Sequence, residues 1–572
     1  MAATFPSPQA ARRPPIRLAD VAVVLGSLAL LALAAKVGAG MLVGFKPPVL
    51  TPHVSLDPRV LPYYAARSTL RMFIALLWSL AFTFAYGYAA ARSRLAGRVL
   101  IPLLDILQSV PVLGFLSITV TGFIALFPGS LLGLEFAAIF AIFTAQAWNM
   151  AFSFYQSLLT VPKELSEAAE LYRFSGWQRF LNVELPWAAI PLVWNAMMSF
   201  GGGWFFLAAS EAISVLNQKY TLPGIGSYVA AAVDAKDLHA LVWAAIAIAI
   251  VIVIVDQLFW RPMVAWADKF RFEQSASANP PRSWVLDLIR AADLPALLGR
   301  MLRPAGDAIA KLFGALTAVR TVRRQSSRLA DVAFNVGLGV VTLALIILIA
   351  RFVLSTVGLG EVLKAIGLGF ATMARVIILV AIATLIWTPV GVAIGLNPRL
   401  AQLMQPVVQF FASFPANFVF PFATIAFIAY HIPINWGCVL LMALGSQWYI
   451  LFNTIAGAQG IPTELREMAD DIGLRGWTRW KRLIIPGIFG SWVTGALTAS
   501  GGAWNASIVS EIVSWGSTTL TAVGLGTYIS EATGKGDWPR IALGVSIMAL
   551  FVVIINRVFW RRLYRLAETR FA

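Results

Sequence analysis

The chain repeats itself. Val161–Pro186, VPKELSEAAELYRFSGWQRFLNVELP, returns 300 positions later without a gap as Ile461–Pro486, IPTELREMADDIGLRGWTRWKRLIIP. Pro162, Glu164, Leu165, Glu167, Ala169, Gly176, Trp177, Arg179 and Pro186 pair with Pro462, Glu464, Leu465, Glu467, Ala469, Gly476, Trp477, Arg479 and Pro486. The echo continues: Gly201-Gly202, Trp204 and Ser210-Glu211 recur as Gly501-Gly502, Trp504 and Ser510-Glu511. Gly224, Gly226 and Tyr228 recur as Gly524, Gly526 and Tyr528. Nearer the N-terminus the offset is 304, so that Ser68 and Arg71 answer to Thr372 and Arg375, and Pro102 and Pro111 to Pro406 and Pro415. Four extra residues in the first half account for the change. Such a chain folds as two copies of one plan in the same orientation.

The medium follows from composition. Hydrophobic residues make up 59% of the 572 and charged ones only 12%, with a mean hydropathy of +0.77. That is a polytopic membrane protein, outside the range of soluble domains. Apolar runs long enough for the ~20 residues of a spanning helix read at 18–43, 68–91, 99–126, 135–158, 187–213 and 240–260, and again at 330–354, 371–394, 403–430, 432–456, 487–513 and 540–560. The expectation is an all-α protein of about twelve transmembrane helices, six in 1–269 and six in 327–572, with 270–326 as a linker. The runs broken near Pro111 and Pro415 read as kinked or re-entrant. A basic start before the first run resembles a secretory signal. However, Arg17-Leu18-Ala19-Asp20-Val21-Ala22 recurs deep in the chain as Arg328-Leu329-Ala330-Asp331-Val332-Ala333, so the first run reads as a span. Within the linker, Ser275–Pro281 is a turn-rich break, and 284–302 and 305–322 have amphipathic spacing. They suit either the inner membrane surface or a plain tether.

The formal charge is +17, from 44 basic and 27 acidic residues. The arginines cluster in short loops between apolar runs, which is the positive-inside pattern and no sign of a nucleic-acid partner. On that rule both termini, the linker and both polar repeats are cytosolic, while 44–67, 214–239 and 514–539 face outward. Cys438 is the single cysteine, so no disulfide framework exists. His53, His239 and His431 are far apart, lack ligand spacing and read as ordinary loop or boundary residues.

Each polar repeat reads as helix–glycine–helix. Pro162 and Pro462 set a start, acidic residues fill the first turn where the helix dipole favours them, and Gly176 and Gly476 read as the stop. A polar device of this kind between two spans is a docking surface. No G-x-x-x-x-G-K-[ST], H-E-x-x-H or G-x-S-x-G motif occurs, so no catalytic residue and no nucleotide or metal site is expected in the chain. The mid-span glycines suit close helix packing or a solute pathway. Glu211 and Glu511 are costly so near a span. Their topology puts them at the same outer boundary as Arg71 and Arg375. Either each arginine pairs with its glutamate and braces an outer gate, or the arginines stay free to attract an anion.

Glu167-Ala168-Ala169, then Gly176, then Leu185-Pro186 resembles the EAA loop of ABC importer permeases; the second copy departs with Met468 in place of the first alanine. The resemblance implies that Glu164, Glu167, Ala168, Ala169, Gly176 and Pro186, with Glu464, Glu467, Ala469, Gly476 and Pro486, couple the chain to two ATPase subunits on the cytosolic face. Those partners would bind ATP and Mg. It also implies a periplasmic solute-binding protein and a bacterial inner membrane. Ser210-Glu211, after Trp204 and before Gly224-x-Gly226, together with Ser68-x-x-Arg71, is similar to the nitrate/sulfonate/bicarbonate branch, which implies a small anion. The pathway or gate residues on this reading are Arg71, Gly202, Trp204, Ser210, Glu211 and their counterparts Arg375, Gly502, Trp504, Ser510 and Glu511. A secondary, ion-coupled transporter of two six-helix repeats would look alike in helix count. It has no need of the long polar loop between the fourth and fifth spans, and no carboxylate–histidine relay is found.

Overall fold

A computed structural model describes residues 18–39, 41, 54–109, 112–215, 218–270, 283–292 and 328–570. Helices dominate, as the apolar runs require. The strands among the described residues form two antiparallel hairpins, Ala212–Val215 with Gln218–Thr221 and Ile512–Trp515 with Thr518–Thr521. Most of the linker, including the Ser275–Pro281 break and the expected helix at 305–322, lies outside the described residues. Of the expected helix over 284–302, Trp284–Ala291 is helical, with the Ser283 side chain accepting from Leu286 N.

Twelve long helices are not what the chain displays. Among the described residues eight helices are long and apolar enough to cross a membrane, nine if the pair Ile434–Ser446 and Trp448–Gln459, bent by 45°, is one span. Proline accounts for much of the shortfall. The run expected at 403–430 divides into Pro398–Ser413, a 3-10 turn at Ala416–Phe418 capped by Pro415, and Phe420–Ala429. A helix of ten residues reaches only ~15 Å, half the hydrocarbon thickness. In the run at 99–126 the described helices are Arg94–Ser109 and Val112–Leu126, with 110–111 outside the described residues. Arg328–Thr356 is one helix of 29 residues where the first span of the second half was expected.

The compact units cut across the sequence halves. Among the described residues, the smaller gathers those within 1–36, 162–190 and 255–320, and the larger those within 37–161, 191–254 and 321–572. In the larger unit one core draws Leu116, Val120 and Leu134 from the first half together with Met442, Trp504, Leu525 and Met548 from the second. The halves share an interior there. The Asn417 amide donates to Phe205 O at 3.1 Å, and Gly516 N donates to Val233 O at 3.0 Å, so both contacts tie one half to the other.

The smaller unit contains the first polar repeat as helices Lys163–Leu171 and Gly176–Arg179 followed by a π turn, Phe180–Glu184. The larger contains the second as Thr463–Asp471, Gly476–Arg479 and Trp480–Ile484. Pro186 and Pro486 lack the N–H that would close the α-helical ladder, and the helix widens just before each. The expected helix stop is displaced. The left-handed residue is Arg173 (φ 53°) in the first repeat and Gly473 (φ 68°) in the second, not Gly176. There Phe174 N donates to Ala169 O and Leu474 N to Ala469 O, at 2.9 and 2.8 Å, which is the Schellman ending. Gly176 instead begins a helix capped reciprocally by Ser175 and Gln178. Gly476 does take a left-handed φ of 55°, after Arg475, which makes no side-chain cap.

A long side chain in the left-handed region costs about 1 kcal/mol relative to glycine. Arg173→Gly is therefore expected to stabilise the first repeat by about that amount, and Gly473→Arg to cost as much. Thermal unfolding of the purified chain checks both signs.

Candidate functional site

Two charged clusters lie buried in the larger unit, one per half. The hairpin that follows each of the helices Leu185–Glu211 and Ile485–Ser510 makes them possible. Leu222 N returns to Glu211 O at 2.8 Å, and Ala522 N to Glu511 O at 2.7 Å, so the chain doubles back onto the carboxylate it has just passed. The next helix then begins at Gly224 or Gly524 with its N–H groups facing that carboxylate. Gly226 N donates to Glu211 Oε2 at 2.6 Å and Thr527 N to Glu511 Oε2 at 3.2 Å. Anions are favoured at a helix N-terminus. The G-x-G spacing has a steric cause. A Cβ at Gly224 or Gly524 would overlap the carboxylate, and one at Gly226 would sit 2.7 Å from the Ala208 backbone.

The cation comes from the second long helix of each half. Arg71 Nη1 donates to Glu211 Oε1 at 2.6 Å, and Arg375 Nη1 to Glu511 Oε1 at 2.8 Å. One helical turn earlier, Ser68 Oγ donates to Glu211 at 2.6 Å while accepting from Ile225 N at 3.0 Å. Thr372 repeats both bonds at 2.8 and 2.9 Å. Arg71 and Glu211 are 0% exposed. Both arginines are thus paired with a carboxylate.

The halves differ in how they satisfy the rest of each guanidinium. Arg71 Nη2 donates to Glu135 Oε1 at 2.8 Å, and Arg67 joins the same carboxylate. The second half has Asn435 where Glu135 stands, and Ala371 where Arg67 stands. Arg375 donates to Asn435 O and Oδ1, both at 3.0 Å. Two arginines meet two glutamates in one cluster, and one meets one in the other. Each balances.

A chamber of about 750 Å³ lies between the helices Leu185–Glu211 and Ile485–Ser510 of the two halves. Its described walls include Trp148, Asn149, Tyr449, Asn505 and Asn556, with Gly201-Gly202 and Gly501-Gly502, and no acidic, basic or histidine side chain. Gly202 and Gly502 make room for Tyr449. A Cβ at Gly202 would lie 3.2 Å from its hydroxyl, and one at Gly502 3.4 Å from its ring. Gly201 packs against Ser413, whereas Gly501 faces open space. Trp204 and Trp504 are 1% exposed and belong to the packing behind the chamber. Ser210 turns its hydroxyl to Leu207 O at 3.0 Å, and the Ser510 hydroxyl is buried without a partner.

In the polar repeats Ala169 and Ala469 are buried while Glu164, Glu167, Glu464 and Glu467 are exposed; Ala168, Pro186 and Pro486 are half-buried. The first repeat also exposes Leu171 and Tyr172, and the second Met468, Ile472 and Trp477, at 52–82%. Arg179 binds Glu184 at 3.1 Å and Ser166 at 3.3 Å, which ties its two helices together. Arg479 pairs with Asp470 for the same purpose. Among the described residues no group of three or more His, Cys, Asp and Glu side chains is placed to hold a metal ion.

The sequence reading missed Arg67, Glu135, Asn435 and Tyr449. Glu135 carried a signal, a carboxylate at the start of an apolar run. Tyr449 carried none, since an aromatic in a span is ordinary.

A family model described as binding-protein-dependent transport system inner membrane component matches residues 81–259 and 387–572. A bicarbonate transport system permease protein of Synechococcus elongatus is 27% identical over 191 residues, 33% of this chain and 66% of the relative. A nitrate import permease protein of Leptolyngbya laminosa is 23% identical over 186 residues, 32% and 63% of the two chains. A taurine transport system permease protein of Escherichia coli is 22% identical over 197 residues, 34% and 68%. The chain spans a little under two thirds of the bicarbonate and nitrate relatives.

Charge balance generates a test. Glu135→Asn alone leaves two buried arginines against one glutamate, at a cost of ~3–5 kcal/mol. Adding Arg67→Ala copies the second half and is expected to restore most of the loss. Folded yield after detergent extraction measures both variants; an equal loss in single and double would refute the balance.

Proposed function

The chain belongs to the family of binding-protein-dependent transport system inner membrane components, with one family domain in each half, and from that premise we propose that it is the permease subunit of an ATP-driven importer. The duplicated polar repeat carries the reading. Each copy offers a folded helix pair with an exposed apolar face, Leu171 and Tyr172 in one and Met468, Ile472 and Trp477 in the other. A single chain then docks two ATPase subunits, which bind ATP and Mg, and accepts solute from a periplasmic binding protein. The chain supplies pathway and coupling, and closure of the ATPases rocks the halves so that the chamber opens alternately outward and inward.

Each half crosses the membrane six times on this reading. The broken runs 94–126 and 398–429, the bent pair and the Arg328–Thr356 helix complete the count beyond the eight long helices. Both termini and both repeats are cytosolic, and the hairpins with their Arg–Glu braces form the outer gate. The solute is a small anion. The bicarbonate, nitrate and taurine systems of the relatives support that class.

Exposed apolar side chains buried at a docking surface contribute ~1.5–3 kcal/mol each. Leu171→Asp or Met468→Asp is therefore expected to cut ATPase co-purification and uptake by about tenfold or more while membrane yield holds. Unchanged co-purification, or one ATPase per chain, would overturn the docking reading. Orientation has its own measurement in a Cys438→Ser background. An impermeant thiol reagent added to intact cells is expected to label Lys535→Cys and to spare Arg290→Cys; the reverse pattern would invert the topology.

A further inference from the structure

The chamber's electrostatics are unusual for a protein proposed to carry anions. Its described walls hold no charged side chain. Arg71 and Arg375 do not line it, and each is paired with a glutamate. An anion inside therefore meets only dipoles and rings. Moving a charge out of water costs most when it is concentrated on a small group and least when it is spread.

Donors for a spread charge are present. The wall carries amides from both halves, Asn149, Asn505 and Asn556 among them. Several are already engaged: Asn149 Oδ1 accepts from Gln108 at 3.3 Å, a bond that does not use its NH2. The Asn505 amide reaches Gly501 O at 3.3 Å, a long bond. Tyr449 has no copy. Its position in the first half is taken by Asn149, so one phenol stands against Gly202 and Gly502, while the other phenol of the wall, Tyr564, is bonded to Thr494 at 2.8 Å, and the chamber is chemically unlike on its two sides.

We propose that the chamber is an electrically neutral solute site in which Tyr449, with the surrounding amides, selects oxyanions whose charge is shared among several oxygens. Nitrate and sulfonates fit that class; an anion needing a fixed counter-charge does not. The inference rests on the chamber being the transport pathway.

The full chain purified in detergent, with Cys438→Ser, provides the test. Tyr449→Cys is treated with two water-soluble methanethiosulfonates, one bearing a sulfonate and the other a trimethylammonium group. Each rate is divided by that of the same reagent with free cysteine. A neutral chamber gives normalised rates within about threefold of each other. One unbalanced positive charge a few ångströms away would favour the anionic reagent by about tenfold or more and overturn the proposal. Reaction with neither reagent would instead overturn the chamber as a water-reached pathway. A second cysteine isolates Tyr449. Labelling of Thr498→Cys is expected to slow with nitrate or taurine present, and this protection is expected to fall at least about threefold in Tyr449→Phe. Equal protection in both would remove Tyr449 as the selecting residue, and protection by neither anion would overturn the solute class.

Discussion

A guanidinium buried among helices must be neutralised where it stands, and much of the architecture around Arg71 and Arg375 serves that requirement. An unpaired buried charge costs several kcal/mol, more than a typical packing contact returns. The carboxylate has to arrive from another helix, and it too needs partners for both oxygens. The hairpins after Glu211 and Glu511 fold the chain back so that a helix N-terminus meets the carboxylate. The glycines at 224 and 524 exist because no side chain fits between. Ser68 and Thr372 bridge the same carboxylate to the backbone of the incoming helix. One electrostatic demand thus sets a serine or threonine, an arginine, a glutamate, a hairpin and a G-x-G in fixed order along each half.

Duplication shows which parts of that set are negotiable. Arg–Glu pairing, the hairpin and the glycines survive in both halves. The remaining valence of the guanidinium is met by Glu135 with Arg67 in one half and by Asn435 in the other. These are two solutions of equal charge. The polar repeats diverge in the same spirit: Ser175 and Gln178 cap a helix reciprocally that Arg475 leaves without a side-chain cap, and Arg173 adopts a left-handed backbone that Gly473 takes without strain.

The membrane class, the duplication and the pairing of Arg71 with Glu211 were legible because each rests on a short-range rule. Apolar length, the spacing of repeats and the cost of a bare carboxylate act locally. What escaped was set by tertiary approach. Gly176 was read as the left-handed stop because it is the only glycine nearby, whereas the structure ends that helix at Arg173. The count of long helices falls short in part because Pro415 divides one run, and a 45° bend another, that hydropathy alone sees as continuous. Tyr449 was invisible, since its meaning depends on two glycines from helices far along the chain.

Fusion of the halves matters to that last residue. A chamber built from two identical chains would carry any wall residue twice, once on each side of its axis. Two phenols in place of Tyr449 and Asn149 would crowd the space that Gly202 and Gly502 open for one, and two asparagines would leave those glycines with no phenol against them. A solute smaller than the chamber cannot touch both sides of a twofold site at once, so symmetry gives it two equal and partial seats. One Tyr and one Asn, supplied by a single polypeptide, give it one seat with a defined orientation. The buried clusters stay balanced half by half, so the wall is free to become asymmetric without unsettling the frame that holds it.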